Sequence, residues 1–415
     1  MTPTLPNADS AQPDVASVGP ADWPHARKVV RTPADLAING AYPAFEMPLH
    51  VGRPWSPGRE QFLALVDDMF ERNWLTNDGP LVRQFERELC DYLHVRHCIA
   101  TSSGTTAIEV AIRALGISGE VIVPAYTFIA TAHAVSWLGL RPVFADIDPI
   151  SHQVDPDAVR RLVTARTGGI LAVNLWGGCA PVQDLERIAD ECGVPLLFDS
   201  AHGFGTEIGG RPLGGGGSAE TFSFHATKCL HTFEGGAIST NDDALAERMR
   251  HARAFGIVEE GRTAGAGTNA KMSEVCAAMG IANLRHIGPT LEATGRAFAH
   301  YRQRLKDVPG IRLHDPSAGC RPNWQYVIIE VDPDCGCARD GLLQSLHAEG
   351  VLARRYFWPG CHRMQPYVGR GEHSPHPLAA VDEVAARVIA LPTGPSIAPA
   401  DIDVVCDIIR MMARG

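Results

Sequence analysis

Asp199 and Lys228 are the two residues whose chemistry the rest of the chain has to serve. The stretch from 198 to 236 reads FDSAHGFGTEIGGRPLGGGGSAETFSFHATKCLHTFEGG. An apolar run, Val194 to Phe198, ends in Asp199, and His202 follows three positions on. A Gly-rich turn then leads into the alternating Phe222-Ser223-Phe224-His225, with Lys228 just beyond. A lone loop lysine is ordinarily solvated, and an aspartate among Gly and Ser is ordinarily a turn or cap residue. Here aromatic neighbours argue for a desolvated amine of depressed pKa, able to attack a carbonyl and to move a proton. The buried strand before Asp199 argues for a carboxylate held at a sheet edge. A lysine that bonds an aldehyde, and a carboxylate that pairs with a pyridinium nitrogen, are what pyridoxal phosphate chemistry requires.

A second constellation is Ser102-Ser103-Gly104-Thr105-Thr106, which joins a strand to a helix. Free backbone amides and the positive end of the helix dipole meet there, a combination that suits a phosphate. Ordinary Ser or Thr capping explains the same residues. Gly203-x-Gly205 and the run Gly214 to Gly217 lack the G-x-G-x-x-G spacing after a first strand, so a dinucleotide-binding reading fails.

The chain resembles the DegT-type nucleotide-sugar aminotransferases, a branch of the fold type I pyridoxal phosphate enzymes. Their signature is Asp-x-x-His (or Gln), a Ser five positions before the Lys, and Glu-Gly-Gly after it. Asp199 with His202, Ser223 with Lys228, and Glu234-Gly235-Gly236 match it, and further matches run from about Pro48 to the C-terminus. The resemblance implies pyridoxal 5'-phosphate as cofactor, Lys228 as the catalytic residue that carries it, and cofactor contacts from Gly104, Thr105, Phe128, Asp199, His202 and Ser223. Phe128 would stack on the pyridine ring, and Asn269 would be donated by the partner subunit of a homodimer with shared active sites. Ala270 and Lys271 stand where the family usually has an aromatic and an Arg. Substrate contacts are implied for Asn174, Trp176, Tyr326, Arg355, Tyr356 and His362, with Arg253, Asn323 and Arg354 as further pocket candidates.

Some relatives carry His in place of the lysine and catalyse dehydration, so the retained Lys228 implies transamination. The implied donor is L-glutamate and the implied acceptor a nucleotide-linked keto sugar. The phrases Ser-Phe-His-Ala-Thr-Lys, Thr-Phe-Glu-Gly-Gly and Thr-Asn-Ala-Lys-Met-Ser-Glu look most like enzymes that aminate C4 of TDP-4-keto-6-deoxy-D-glucose, giving TDP-4-amino-4,6-dideoxy-D-glucose. Such products serve natural-product glycosides and surface polysaccharides. The alternatives are the same chemistry at C3 or on a UDP or GDP sugar, a pyridoxal phosphate lyase, and a non-catalytic regulator that keeps the site.

The elements that must hold these residues follow from periodicity. Short apolar runs at 98–100, 121–123, 142–144, 170–173 and 194–198 alternate with helical segments near 105–115, 128–138, 155–164 and 182–192. Such alternation predicts an α/β fold with a mixed, mostly parallel central sheet and helices on both faces. Ligands in such sheets bind at the carboxyl ends of the strands, where the motifs above fall. An antiparallel strand is expected over 234–240, a helix over 242–253, and a long helical stretch over 273–306 broken at Gly288-Pro289. That break is read as the hinge, so the expected organisation is an extension (1–45), a large cofactor domain (46–287) and a smaller α+β domain (288–415) with strands over 326–331 and 351–355 and helices over 339–348, 379–389 and 399–412.

Bulk properties bound the rest. The 415 residues suffice for two cores, and 45% hydrophobic with 20% charged residues is ordinary for a globular protein. The formal charge of -10 argues against nucleic acid as a partner. Eleven cysteines without regular spacing form no disulfide framework, and Cys335-x-Cys337 lacks the further ligands of a zinc site, so no metal is expected. The first 22 residues, rich in Pro, Ala, Ser and Asp, read as a flexible tail without an apolar signal segment. Residues 23 to 47 read as a segment that docks on the body or on a neighbouring subunit. Val121 to Leu140 is too interrupted to span a membrane, which leaves the reduced cytosol as the expected compartment.

Overall fold

The computed structural model describes residues 28–414. The expected tail and Trp23 lie outside the described residues. In chain order the elements before the central motif are β1 (Leu49–His50), α1 (Arg59–Arg72), α2 (Pro80–Leu93), β2 (His97–Thr101), α3 (Gly104–Leu115), β3 (Glu120–Pro124), α4 (Ala130–Trp137), β4 (Arg141–Ala145), α5 (Pro156–Leu162), β5 (Thr167–Val173), α6 (Val182–Cys192) and β6 (Leu196–Asp199). A small hairpin, β7 (Glu207–Ile208) with β8 (Arg211–Pro212), precedes β9 (Ala219–Ser223) and β10 (Gly236–Thr240). Then come α7 (Asp243–Arg253), the hairpin β11 (Ile257–Glu259) with β12 (Arg262–Thr263), α8 (Glu274–Leu284), α9 (Ile287–Leu305) and β13 (Ile311–Leu313). The chain ends with β14 (Val327–Val331), α10 (Arg339–Ala348), β15 (Val351–Leu352), α11 (Ala379–Arg387), β16 (Val388–Leu391) and α12 (Pro399–Ala413).

Seven strands form the main sheet in the order β2-β10-β9-β6-β5-β3-β4. Only β10 runs antiparallel to its neighbours, β2 and β9; the other pairings are parallel. Both faces are covered, which is why β3 and β6 are buried at every position and read as unbroken apolar runs rather than as alternation. A three-stranded antiparallel sheet, β13-β14-β16, packs with α9, α10 and α12 in a second apolar cluster. The fold is thus α/β, as expected.

Three boundaries differ from the sequence reading. The break between α8 and α9 falls at Arg285 and His286. Gly288-Pro289 lies inside the first turn of α9, where a missing N–H costs no intrahelical bond. The helix expected over 379–389 stops at Arg387, and Val388-Ile389 opens the buried strand β16. The strand expected over 351–355 is only Val351–Leu352, which releases Arg354 and Arg355 into a loop.

Residues 28 to 47 dock on the body. Val30, Leu36, Ala44 and Phe45 are buried in the second cluster, and β1 pairs with β15. The buried Glu349 carboxylate accepts from the backbone N–H of Ala37 (2.6 Å) and Ala44 (2.7 Å) and from Lys28 Nζ (3.3 Å).

Candidate active site

A cavity of about 320 Å³ opens at the carboxyl ends of β6 and β9 and the amino end of α3. Ser103 caps α3 by accepting from Thr106 N, and its backbone carbonyl accepts from Ala107 N. The amides of Gly104 and Thr105, which have no intrahelical acceptor, remain at the cavity wall. Gly104 packs so tightly on β9 that an added Cβ would lie 2.7 Å from Ser223 Cβ. A Cβ on Gly236 would lie 2.6 Å from the carbonyl oxygens of Phe222 and Ser103. Glycine at these two positions lets α3, β9 and β10 converge.

Asp199 closes β6 and is buried. Its carboxylate accepts from Thr131 Oγ1 (2.8 Å) and from Ala201 N (3.1 Å). Burial raises its pKa, against those two hydrogen bonds and the attraction of Lys228. Burial lowers the Lys228 amine to about 8, against the attraction of Asp199. Lys228 Nζ donates to Tyr326 Oη (3.3 Å), and that hydroxyl lies 3.2 Å from His202 Nε2. Burial pushes the His202 pKa far down and that of Tyr326 up, so both rings are neutral. With Tyr326 Oη accepting from Lys228, its proton points to His202 Nε2, and the His202 proton resides on Nδ1. That Nδ1 is buried without a partner, on a ring that lines the cavity.

The cavity collects most of the residues the sequence singled out: Gly104, Thr105, Phe128, Asp199, His202, Ser223, Lys228, Tyr326 and Tyr356 all line it. Phe128 stands at the rim, 56% exposed, its ring 6.2 Å from that of Phe357. Four expected substrate contacts do not reach it. Asn174 is consumed by the scaffold: its Nδ2 donates to Ser200 Oγ (2.8 Å) and its Oδ1 accepts from Ala180 N (2.8 Å). Trp176 is fully buried behind the wall, stacked 5.1 Å from Phe357 and 5.9 Å from His202, with Nε1 donating to His152 Nδ1. Arg355 turns outward to Asp340 (3.5 Å). His362 sits 3.1 Å from Asp382, outside the cavity lining. Among the further candidates, Asn323 clamps the carbonyls of His202 and Phe204, and Arg253 pairs with Glu86 (2.6 Å). Asn269 is exposed and outside the cavity of its own chain.

Thr131, His225 and Phe357 line the site without having been singled out for it, and Glu234 of the Glu-Gly-Gly signature joins them. Thr131 follows Thr127 at helical spacing and within hydrogen-bonding reach (3.2 Å), a polar pair in an apolar stretch, which was the one available signal. Behind the site, buried Glu220 accepts from Gly214 N, Gly216 N and Ser200 Oγ, tying the Gly-rich turn to β6.

One buried cluster was not foreseen. His152, His314 and Glu330 bring ligand-type atoms within 4.8 Å of one another. Trp176 Nε1 donates to His152 Nδ1, which leaves the His152 proton on Nε2. That nitrogen lies 3.2 Å from Glu330 Oε1 without hydrogen-bond geometry, so both atoms are buried without a partner, and Nε2 has no lone pair to offer a cation. Glu330 also pairs with Arg312.

Among the described residues no helix is long and apolar enough to cross a membrane. The sheet order and the cavity at its carboxyl edge define an α/β protein with a lysine-bearing site. Residues 57–410 match the model of the DegT/DnrJ/EryC1/StrS aminotransferase family, and the chain belongs to that family. It is 35% identical over 347 residues to a dTDP-4-amino-4,6-dideoxy-D-glucose transaminase of Shigella dysenteriae, covering 84% of this chain and 94% of the relative. It is 30% identical over 349 residues to a GDP-perosamine synthase of Vibrio cholerae, covering 83% and 94%. The crystal structure of DesI in the presence of its TDP-sugar product superposes with a TM-score of 0.88 at 44% identity, covering 92% of this chain and 96% of that one.

Proposed function

We propose that the chain moves an amino group from L-glutamate to C4 of TDP-4-keto-6-deoxy-D-glucose, giving TDP-4-amino-4,6-dideoxy-D-glucose. Pyridoxal 5'-phosphate is the carrier, and a homodimer that shares its two active sites is the working unit. The observation that carries the reading is the meeting of Lys228, Asp199 and the unpaired amides of α3 in one cavity. The Shigella and DesI names support the acceptor, and the donor is the one the family resemblance implies.

Bound pyridoxal phosphate supplies an aldehyde that takes an amino group from one substrate and gives it to the next, and a ring that accepts the electron pair in between. The residues fit that group. The amides of Gly104 and Thr105, with Ser223 beside them, would hold its phosphate. Asp199 would serve its ring nitrogen, Phe128 would cover its ring, and the unpaired His202 Nδ1–H is a donor for one of its oxygens. Lys228, lowered to about 8, is part neutral near neutrality and so can take up a proton and return it. Tyr326 aims that amine from 3.3 Å. The packed wall of Phe357, Trp176 and Tyr126 keeps water from the inner side of the cavity.

The test supplies loaded protein with L-glutamate and TDP-4-keto-6-deoxy-D-glucose and identifies the sugar product. Amination at C4, absent in Lys228→Ala, is the expected result. Amination of a TDP-3-keto sugar with the 4-keto sugar left unreacted would move the assignment to C3, and no amination with these or a UDP- or GDP-keto sugar would defeat it.

A further inference from the structure

The main cavity has a side chamber. A second hollow, about 170 Å³, is lined by His50, Gly52, Gln325, Tyr326, Arg354 and Tyr356. Tyr326 and Tyr356 border both spaces, so the chamber begins where the Lys228 cavity ends. Two polar groups in it lack a well-formed hydrogen bond. Gln325 is largely buried, and its Oε1 accepts from Cys229 N (3.2 Å), whereas its Nε2 approaches the Tyr326 hydroxyl without a well-formed hydrogen bond. The Arg354 guanidinium has no hydrogen bond or ion pair among the described residues. The Arg354 backbone is fixed by two bonds to Ala390, at 3.0 and 2.8 Å, so the cation is anchored at its base and free at its tip.

A buried amide donor without a well-formed hydrogen bond, beside a solvent-exposed guanidinium that no protein group engages, suits an acceptor that carries charge. We propose that Arg354 and Gln325 bind the side-chain carboxylate of the amino-acid donor, so that this site selects a dicarboxylic over a neutral amino acid. The assignment rests on the transaminase reading above. A carboxylate matches the planar fork of one arginine and still offers an oxygen to Gln325. A hollow of about 170 Å³ with a single guanidinium suits one carboxylate better than a nucleoside diphosphate. The α-carboxylate shares its carbon with the reacting amine and stays in the Lys228 cavity. The carboxylate at the far end of the side chain is the one that reaches past Tyr326 and Tyr356.

Glutarate, which has both carboxylates and no amine, separates binding from turnover. Calorimetric titration of the loaded protein is expected to show glutarate binding more tightly than butyrate. Arg354→Gln is expected to lose that preference, with glutarate weakened by on the order of 10- to 100-fold, the worth of a charge-assisted hydrogen bond. Arg354→Lys, which keeps the charge without the fork, should retain part of it. In single-turnover amino-group uptake, Arg354→Gln should lower the preference for L-glutamate over L-glutamine by a similar factor. If glutarate and butyrate bind the wild type alike, or Arg354→Gln binds glutarate as the wild type does, the assignment is overturned. Equal reaction of both proteins with L-glutamate would overturn it too and leave the transaminase reading standing. Glutarate selectivity that depends on Arg354, in a protein that reacts with no amino acid, would uphold the chamber and remove the transaminase reading.

Discussion

Lys228 and Asp199 attract each other across a cavity with little water to screen them, yet burial outweighs the attraction and holds the amine at about 8. The neutral amine is the form that bonds an aldehyde. The rate at which cofactor-free protein takes up pyridoxal phosphate should therefore rise about tenfold per pH unit below about 8 and level off above it, whereas an exposed lysine would keep climbing toward about 10.4. Stopped-flow absorbance across that range checks it. The same shift enters stability. Between about 8 and the ordinary value of 10.5 the unfolded chain holds a proton that the folded chain has released. Relative to Lys228→Met, cofactor-free protein should therefore gain stability as pH rises through that window, since stability rises with pH wherever the unfolded state binds more protons. Asn174 gives the contrasting case. Both ends of its amide are engaged inside the scaffold, so Asn174→Ala should cost about 2 kcal/mol of stability and leave the KM for sugar nucleotide unchanged. Paired denaturation and kinetic measurements decide between scaffold and substrate contact.

At the scale of elements, the segment before β1 is held to the body by four buried apolar side chains and by one carboxylate. Removing that carboxylate in Glu349→Ala strands two amides and leaves the Lys28 ammonium only the Tyr42 carbonyl. A loss of roughly 3 kcal/mol is expected, with residues 28–47 becoming the first site of limited proteolysis. The strands and helices of the main sheet were legible because each apolar run has the length of a strand and is bounded by turn residues. The cofactor-side residues were legible because they cluster on a single motif and its neighbouring strand ends. Legibility ended where tertiary packing decides. Arg354 and Arg355 are adjacent and point to different surroundings, and no periodicity says which faces the site once β15 has ended. Trp176 looks like a pocket residue until His152, from the loop after β4, takes its indole N–H. Thr131 acquires its role only because β6 delivers Asp199 beside α4.

The whole molecule presents a number of large apolar side chains to solvent: Leu63, Phe70, Trp74, Leu75, Phe128, Trp137, Phe233, Phe255 and Ile257 are all more than 40% exposed. A surface this apolar is the kind that a second subunit covers. The proposed homodimer therefore predicts a particle of twice 44.6 kDa in sedimentation equilibrium. It also predicts complementation. Since Asn269 is assigned to the partner's site, mixing Lys228→Ala with Asn269→Ala after dissociation and reassembly should restore one intact site per hybrid, with about a quarter of wild-type activity in a random mixture of dimers. Residues serving only their own chain would complement no better than chance misfolding allows, and activity would stay at the level of the separate variants. The most direct test of the central claim is one turnover without acceptor. Loaded protein mixed with L-glutamate alone should release one 2-oxoglutarate per subunit, and later addition of TDP-4-keto-6-deoxy-D-glucose should yield one amino sugar per subunit, with neither product from Lys228→Ala. Loaded wild-type protein that releases no 2-oxoglutarate, or releases it and cannot pass the amino group to the sugar, would contradict the account.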